Sequence, residues 1–403
     1  EAVGAKLGNY NIHYVNGSLA VGSRTLTITA DGRDKTYGDT ATFAGTEFTT
    51  VLGQLVNGDT VDSVTLTSDG AVATATVGPY DITPSEAVGA KLGNYNIHYV
   101  NGSLAVGSRT LTITADGRDK TYGDTLTLGT TSFTTSGLVN GNTVTGVTLS
   151  SPGAAASATV AGNPYTITPT VAVGTGLTNY AISYANGTLT VNPKPLTITA
   201  DADPTDAVID HFTKVLGSPN PPFTVRYAGF VGGEDLSNLG GTLVFATLAT
   251  TASGIGHYTV TPQGLTSSNY AISFVDGTLD IVYGWNGFLQ PINDTAHQTG
   301  VNESKFKLGQ TIPAKFVLTD TFGNVVQQSG NPTFSRTWRG ACDLNAALDS
   351  VPSTSTSTDP EYKLTGGQYL YGWSTKGLTA GEYRVFANLA DGTARYVDIC
   401  LTK

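Results

Sequence analysis

Asp31, Asp34 and Asp39 fall in one short stretch, and Asp116, Asp119 and Asp124 repeat them. Carboxylate oxygens so grouped can ligate calcium, but the twelve-residue order of an EF-hand loop is absent. Arg33 and Lys35 lie among them, so a solvated, salt-bridged turn is favoured over a metal site. Asp201, Asp203 and Asp206 are read in the same way. Cys342 and Cys400 are the only cysteines, enough for one disulfide and too few for a four-cysteine zinc site. That usage suits an oxidising, extracellular setting. The histidines His13, His98, His211, His257 and His297 are scattered, and Ser183 and Ser273 stand where His13 and His98 do in other copies of the same segment. They read as exposed strand residues rather than bases. No nucleophile elbow, zinc-protease helix motif, Walker loop or dinucleotide fingerprint is present, so neither a catalytic site nor a cofactor is expected. Lys315 falls centrally in a predicted strand. Surface stalks of bacteria sometimes cross-link such a lysine to an asparagine, but an amine reaching out to solvent is favoured here.

The elements that would carry these residues come in copies. The 40-residue string from Glu1 to Thr40 recurs from Glu86 to Thr125, displaced by 85 positions. Tyr10, Tyr95, Tyr180 and Tyr270 mark the same phase at intervals of 85, 85 and 90, which sets a unit of small-domain size. Leu26-Thr-Ile-Thr-Ala30 and its copies at 111 and 196 alternate as a strand. Tyr10, Ile12 and Tyr14 alternate too, and Asn16-Gly17, Asn101-Gly102 and Asn186-Gly187 then predict a hairpin through a type I′ turn. The turn accounts for these Asn-Gly-Ser/Thr sites better than glycosylation does. Leu55-Val-Asn-Gly-Asp59 and Leu138-Val-Asn-Gly-Asn142 predict a turn or one helical turn before a strand. The third copy drops the Asp31–Asp39 pattern for Asp201-Ala-Asp-Pro-Thr-Asp206, and the apolar spacing over 206–216 predicts one short helix. Tyr10, Tyr14 and their copies recur in phase with Ile12, and Tyr369, Tyr371 and Trp373 alternate on one strand. All are read as core rather than as sugar-stacking platforms.

The strand Leu-Thr-Ile-Thr-Ala, the Lys35-Thr-Tyr-Gly-Asp39 motif and the closing Asn-Tyr-x-Ile-x-x-x-Asn-Gly-x-Leu-x-Val resemble the tandem MBG domains of large bacterial surface and secreted proteins. The resemblance covers about residues 24–282. It implies a mainly β fold, β-grasp-like or immunoglobulin-like, in a linear array of stalk or adhesin type rather than an enzyme. It also implies that the third unit, which loses Tyr-Gly-Asp, would not bind what that motif binds. From Tyr283 the composition changes: Trp285, Trp338, Trp373 and both cysteines fall here. Gly287-Phe-Leu-Gln-Pro291, Leu308-Gly-Gln-Thr-Ile-Pro313-Ala-Lys315-Phe316 and Gly367-Gln-Tyr-Leu-Tyr371-Gly-Trp373 resemble the PxKF-type domain that closes many bacterial extracellular proteins. A β-sandwich is expected, with a hairpin around Asp391-Gly392 and a mobile Ser/Thr-rich loop from Pro352 to Asp359. In that family the second cysteine usually lies in the strand that holds Glu382 here, and Cys400 would come from the next strand. The expected division is 1–23, the closing part of an incomplete repeat; 24–107 and 108–192, two repeats; 193–282, a divergent repeat; and 283–403, the sandwich.

Only 13% of the 403 residues are charged, about half of average globular usage, which argues against an ordinary cytosolic enzyme. The net charge of −10 opposes binding to nucleic acid or anionic membranes. No apolar run reaches the ~18–20 residues of a membrane helix. With no Met, the chain is expected to be processed or to be part of a longer one. Residues 1–23 would then be disordered, pair with an upstream part, or complete a sheet in another molecule by strand donation. The expected function is a non-catalytic structural protein of the bacterial exterior, a stalk or self-assembling filament subunit. The expected partners are other copies of itself or adjoining parts of a longer chain. The competing expectations are an adhesin whose last domain grips glycan or host protein, and an accessory region of a secreted enzyme.

Overall fold

The computed structural model describes residues 1–342 and 347–403, as two compact units, Glu1–Asn192 and Pro193–Lys403. It is built of strands and short 3-10 turns, and none of the described helices is long and apolar enough to cross a membrane.

In the unit Glu1–Asn192, the first repeat is a two-layer sandwich. One sheet runs Phe48–Thr50, Arg24–Ala30, Tyr95–Val100, and the other Arg33–Thr36, Gly102–Gly107, Gly78–Val88, Ser63–Thr67. The alternation in Arg24–Ala30 turns Leu26, Ile28 and Ala30 inward, where Ile82 and Leu104 of the other sheet meet them. All but Ala30 are at most 1% exposed, and each such aliphatic side chain contributes ~1.5–3 kcal/mol on burial. The second repeat repeats both layers around Arg109–Ala115, with Leu111, Ile113, Ile167 and Leu189 inside. Seven strands in two sheets without a helix make the immunoglobulin-like alternative the right one.

The hairpin expected at Asn101-Gly102 does not form. Tyr95–Val100 pairs in parallel with Arg24–Ala30, whereas Gly102–Gly107 crosses to the other layer and pairs with Gly78–Val88 and Arg33–Thr36. Neither Asn101 nor Gly102 has a positive φ. Glycine is required for another reason: a Cβ on Gly102 would stand 2.5 Å from the carbonyl oxygen of Ala30, and Gly187 and Gly277 repeat this at 2.5 and 2.6 Å from Ala115 and Ala200. The crossing chain is that close to the facing strand. The positive-φ Asn-Gly pairs are Asn57-Gly58 (58° and 76°) and Asn140-Gly141 (54° and 71°), at the turns expected there.

In the unit Pro193–Lys403, the same two layers form around Lys194–Ala200. The helix expected over 206–216 is replaced by turns and the strand Phe212–Val215. Its carboxylates take the amides a helix would need: Asp201 Oδ1 accepts from Asp203 N and Asp210 N, Asp203 Oδ1 from Thr205 N, and Asp206 Oδ1 from Val208 N. Arg226 closes the structure, donating to the buried Asp201 at 2.7 Å and to the carbonyls of Asp203, Asp206 and Val208. Residues from Tyr283 form a further sandwich. One sheet runs Ser304–Lys307, Ala394–Thr402, Gly381–Asn388, Thr333–Gly340, facing Thr311–Phe316, Gln368–Ser374, Lys363–Thr365. The hairpin around Asp391-Gly392 is present, and Phe316 stacks on Tyr369 in a core shared with Tyr362 and Trp373. Within the Pro352–Asp359 segment, Ser357 N donates to Gly372 O, and Gly372 N to Ser357 Oγ, both at 3.0 Å.

The expectation that all the repeat tyrosines are core holds for one phase only. Tyr95, Tyr180 and Tyr270 are buried, but Tyr99 and Tyr184 are partly exposed braces that accept from Ala87 N and Ala172 N. Tyr10 and Tyr14 are exposed with the rest of the N-terminal segment.

Candidate interaction site between repeats

The loop Tyr37-Gly38-Asp39 leaves the strand Arg33–Thr36 held by its own backbone. Tyr37 N donates to Gly107 O at 2.9 Å, Gly38 N to Ala73 O at 3.1 Å and Asp39 N to Thr36 O at 3.0 Å. Lys35 fastens it from the side: its Nζ donates to Asp39 O at 2.9 Å and also to Val72 O. Lys120 does the same at Asp124 O and Ala155 O, and Lys214 at Ser218 O, Thr250 O and Asn220 Oδ1. Burial pulls the pKa of all three ammonium groups below the usual lysine range, and the charges of Asp39 and Asp124 partly offset this for Lys35 and Lys120.

So fixed, the loop presents its outer side to the second repeat. The chain passes from the strand Gly102–Gly107 to the strand Arg109–Ala115 through Ser108 alone. Arg109 turns back and donates through Nη1 to the carbonyl of Tyr37 and to Asp39 Oδ1, both at 3.2 Å. The buried Tyr37 ring meets Tyr180 edge to face at 5.5 Å, and Asn142 Nδ2 donates to both hydroxyls, at 2.9 and 3.1 Å. Asn140 Nδ2 donates to Ala73 O at 2.9 Å, and Asn179 Oδ1 accepts from Val77 N at 3.0 Å. Gly38, at φ +92°, lies against Val139, whose Cγ2 would be 2.7 Å from an added Cβ. Tyr37, Ala75 and Val106 thereby share one buried cluster with Leu111, Ile113, Val147 and Tyr180 of the next repeat. Chemically this is an apolar seat with an ionic and amide rim, and it brings no nucleophile or acid–base pair to a cavity.

A profile described as MBG domain (YGX type) matches residues 26–105, 111–190 and 206–280, well over half of the chain. The chain belongs to the MBG domain family. No curated relative matches it. Among solved structures, the N-terminal eight Ig domains of Down Syndrome Cell Adhesion Molecule are 13% identical, with 94% of this chain and 49% of that chain covered, at a TM-score of 0.18. This chain therefore spans about half of that one. The Escherichia coli adhesin FdeC is 12% identical over 97% of this chain and 100% of its own, TM-score 0.18, and S-layer protein SbsC domains 4 and 5 are 12% identical over 45% and 87%, TM-score 0.15. At such TM-scores these likenesses add nothing to what the sheets themselves show.

The third MBG repeat does not lose the loop. Register places Phe212 opposite Leu279 as Arg33 lies opposite Leu104, so Lys214-Val-Leu-Gly-Ser218 stands where Lys35-Thr-Tyr-Gly-Asp39 does. It meets the Tyr283–Lys403 sandwich. Leu216 N donates to Val282 O, and Thr321 N donates to Leu216 O, both at 2.9 Å. Ser218 Oγ donates to Thr321 Oγ1 at 2.9 Å. Gly217, at φ +86°, faces Thr321 and Phe322.

The six calcium candidates are not gathered. Asp34 and Asp119 lie on the strands Arg33–Thr36 and Arg118–Thr121, which hold Asp31 and Asp116 apart from Asp39 and Asp124. Asp39 is engaged by Arg109, and among the described residues no group of three or more His, Cys, Asp or Glu is arranged to hold a metal. Cys342 and Cys400 are joined by a disulfide, and Cys400 lies opposite Glu382 in the hairpin register. Lys315 is half-buried and lines an open groove with Pro291 and Asp349. His98 is an exposed strand residue, while His211 and His257 clasp Asp280 through Nδ1 at 2.9 and 2.7 Å. Arg109 was not singled out by the sequence reading, and Lys35, Asn140 and Asn142 entered it only as parts of turns, not as groups that face a neighbouring repeat. A basic residue at the same phase in Arg24, Arg109 and Lys194, beside each Leu-Thr-Ile-Thr-Ala strand, was the available signal.

Proposed function

We propose that this MBG protein is a non-catalytic structural component of the bacterial exterior, a stalk or filament subunit closed by a PxKF-type sandwich. The observation that carries this is the joint between the first two repeats, where a single connecting residue and a shared buried cluster make neighbouring domains hold one another. A chain built to transmit position or load needs such joints, and a string of independent binding modules does not. An antibody raised against the folded chain is expected to label intact cells of the producing bacterium. Labelling only after lysis would contradict the reading.

Strand complementation through residues 1–23 is a finer part of the same proposal. Residues 1–23 have the sequence of 86–108, yet Tyr10, Leu19 and Val21 are 73%, 90% and 87% exposed where Tyr95, Leu104 and Val106 are 8%, 0% and 2%. The side chains that fill a sandwich in one copy stand in water in the other. Sedimentation over a concentration series, with amide exchange at residues 10–21, tests this. Protection that rises with assembly is expected, and monomers whose residues 10–21 are already protected would overturn it.

A further inference from the structure

We propose that the loop after each strand-borne lysine specifies the neighbouring domain, so that Tyr-Gly-Asp fits the end of another MBG repeat and Leu-Gly-Ser fits the Tyr283–Lys403 sandwich. The two joints share a scaffold: the lysine staple, the central positive-φ glycine, and a backbone hydrogen bond donated by the N–H of Tyr37 or Leu216 to the closing strand, at Gly107 O or Val282 O. They differ only in what faces the neighbour.

In the first repeat the loop offers a phenol, a carbonyl and a carboxylate. The second repeat answers with Asn142 and the Tyr180 edge for the phenol, and with the Arg109 guanidinium for both oxygens. In the third repeat the neighbour offers a backbone amide and a hydroxyl, both of Thr321, in place of a guanidinium among the described residues. There Ser218 replaces the carboxylate, and Leu216 replaces the phenol with an aliphatic side chain packed on the Phe316–Trp373 core. Exchanging the two sets of side chains leaves a carboxylate without a cation at one joint, and at the other takes from the Arg109 guanidinium and the Asn142 amide one of the two oxygens that each engages. Unmatched polar groups of this kind oppose association. The tail loop of a repeat is thus an interaction surface whose partner is another domain end, either an MBG end with a basic residue and an Asn/Tyr pair or a sandwich with a Thr-Phe corner.

The inference rests on the structural reading of the protein, but its test uses the purified chain, so its failure would leave the surface localisation untouched. In the full-length, disulfide-bonded protein, spin labels at Thr83→Cys and Thr168→Cys report on the first joint, and at Gln263→Cys and Thr337→Cys on the second. Tyr37→Leu with Asp39→Ser is expected to broaden the distance distribution at the first joint about twofold and leave the second unchanged. Leu216→Tyr with Ser218→Asp is expected to do the converse. Unchanged widths, or equal broadening at both joints from either exchange, would overturn the proposal. Should a double exchange fail to fold, the rim variants Asp39→Asn and Arg109→Gln take its place. Each is expected to broaden the first joint alone, and the two combined are expected to do no more than Arg109→Gln by itself, which already removes the bonds to both Asp39 and the Tyr37 carbonyl. Additive broadening would contradict a direct pairing.

Discussion

Gly38 shows how much of the joint depends on one residue. Its φ of +92° disfavours any side chain, and Val139 of the next repeat fills the space a Cβ would need. Gly53 has a similar φ of +80° with nothing within 4 Å. Gly53→Ala is therefore expected to cost about 1 kcal/mol, the strain alone, and Gly38→Ala about 1–3 kcal/mol more in urea unfolding. Equal costs would mean that Val139 does not seat there. Asp201 makes a second prediction. Burial raises its pKa, but amides of Asp210 and Asp203 and the Arg226 guanidinium outweigh that and hold the carboxyl below its ordinary value of 3.8. A depressed folded pKa contributes stability that is present above pH 3.8 and is lost as the pH falls through the folded value. The acid limb of the stability profile of Pro193–Lys403 should therefore be shallower in Asp201→Asn than in the parent. A parallel limb would refute the role.

Strands built on Leu-Thr-Ile-Thr-Ala were legible in the sequence because their alternation encodes burial directly, and Leu26, Ile28 and their copies are the residues buried. Asn101-Gly102 was misread because one dipeptide serves two physical needs. At Asn57-Gly58 the chain requires positive φ, and at Gly102 it requires room beside the Ala30 carbonyl, and only tertiary structure separates these. The 206–216 segment was misread because apolar spacing ignores the carboxylates of Asp201, Asp203 and Asp206, which capture the amides first. The joint was hidden for a different reason: Asp39 and Arg109 lie 70 positions apart, and Tyr37 and Asn142 lie 105 apart, so no local pattern links them. Gly102→Ala is accordingly expected to cost about 2–4 kcal/mol through backbone collision, while Gly17→Ala, at the identical position of the exposed copy, leaves thermal unfolding of the chain unchanged. If residues 1–23 complete another sandwich, the same Gly17→Ala change suppresses assembly, because the crossing chain then meets its partner as Gly102 meets Ala30. Unfolding that shifts equally in both variants would contradict the assignment of the two copies to different environments.

At the scale of the whole molecule, low charge, abundant glycine and repeated strands suit a string of turn-linked β domains, and on the proposal above specificity lies in how neighbouring domains meet. Within Glu1–Asn192 the central claim is that neighbouring MBG repeats form a continuous folded joint through the Tyr37-Gly38-Asp39 loop. Backbone ¹⁵N relaxation of the isotope-labelled full-length chain tests it most directly. The account predicts one shared rotational correlation time for the two repeats and a Ser108 amide as ordered as the strands on either side of it. Separate correlation times, with a mobile Ser108, would contradict it.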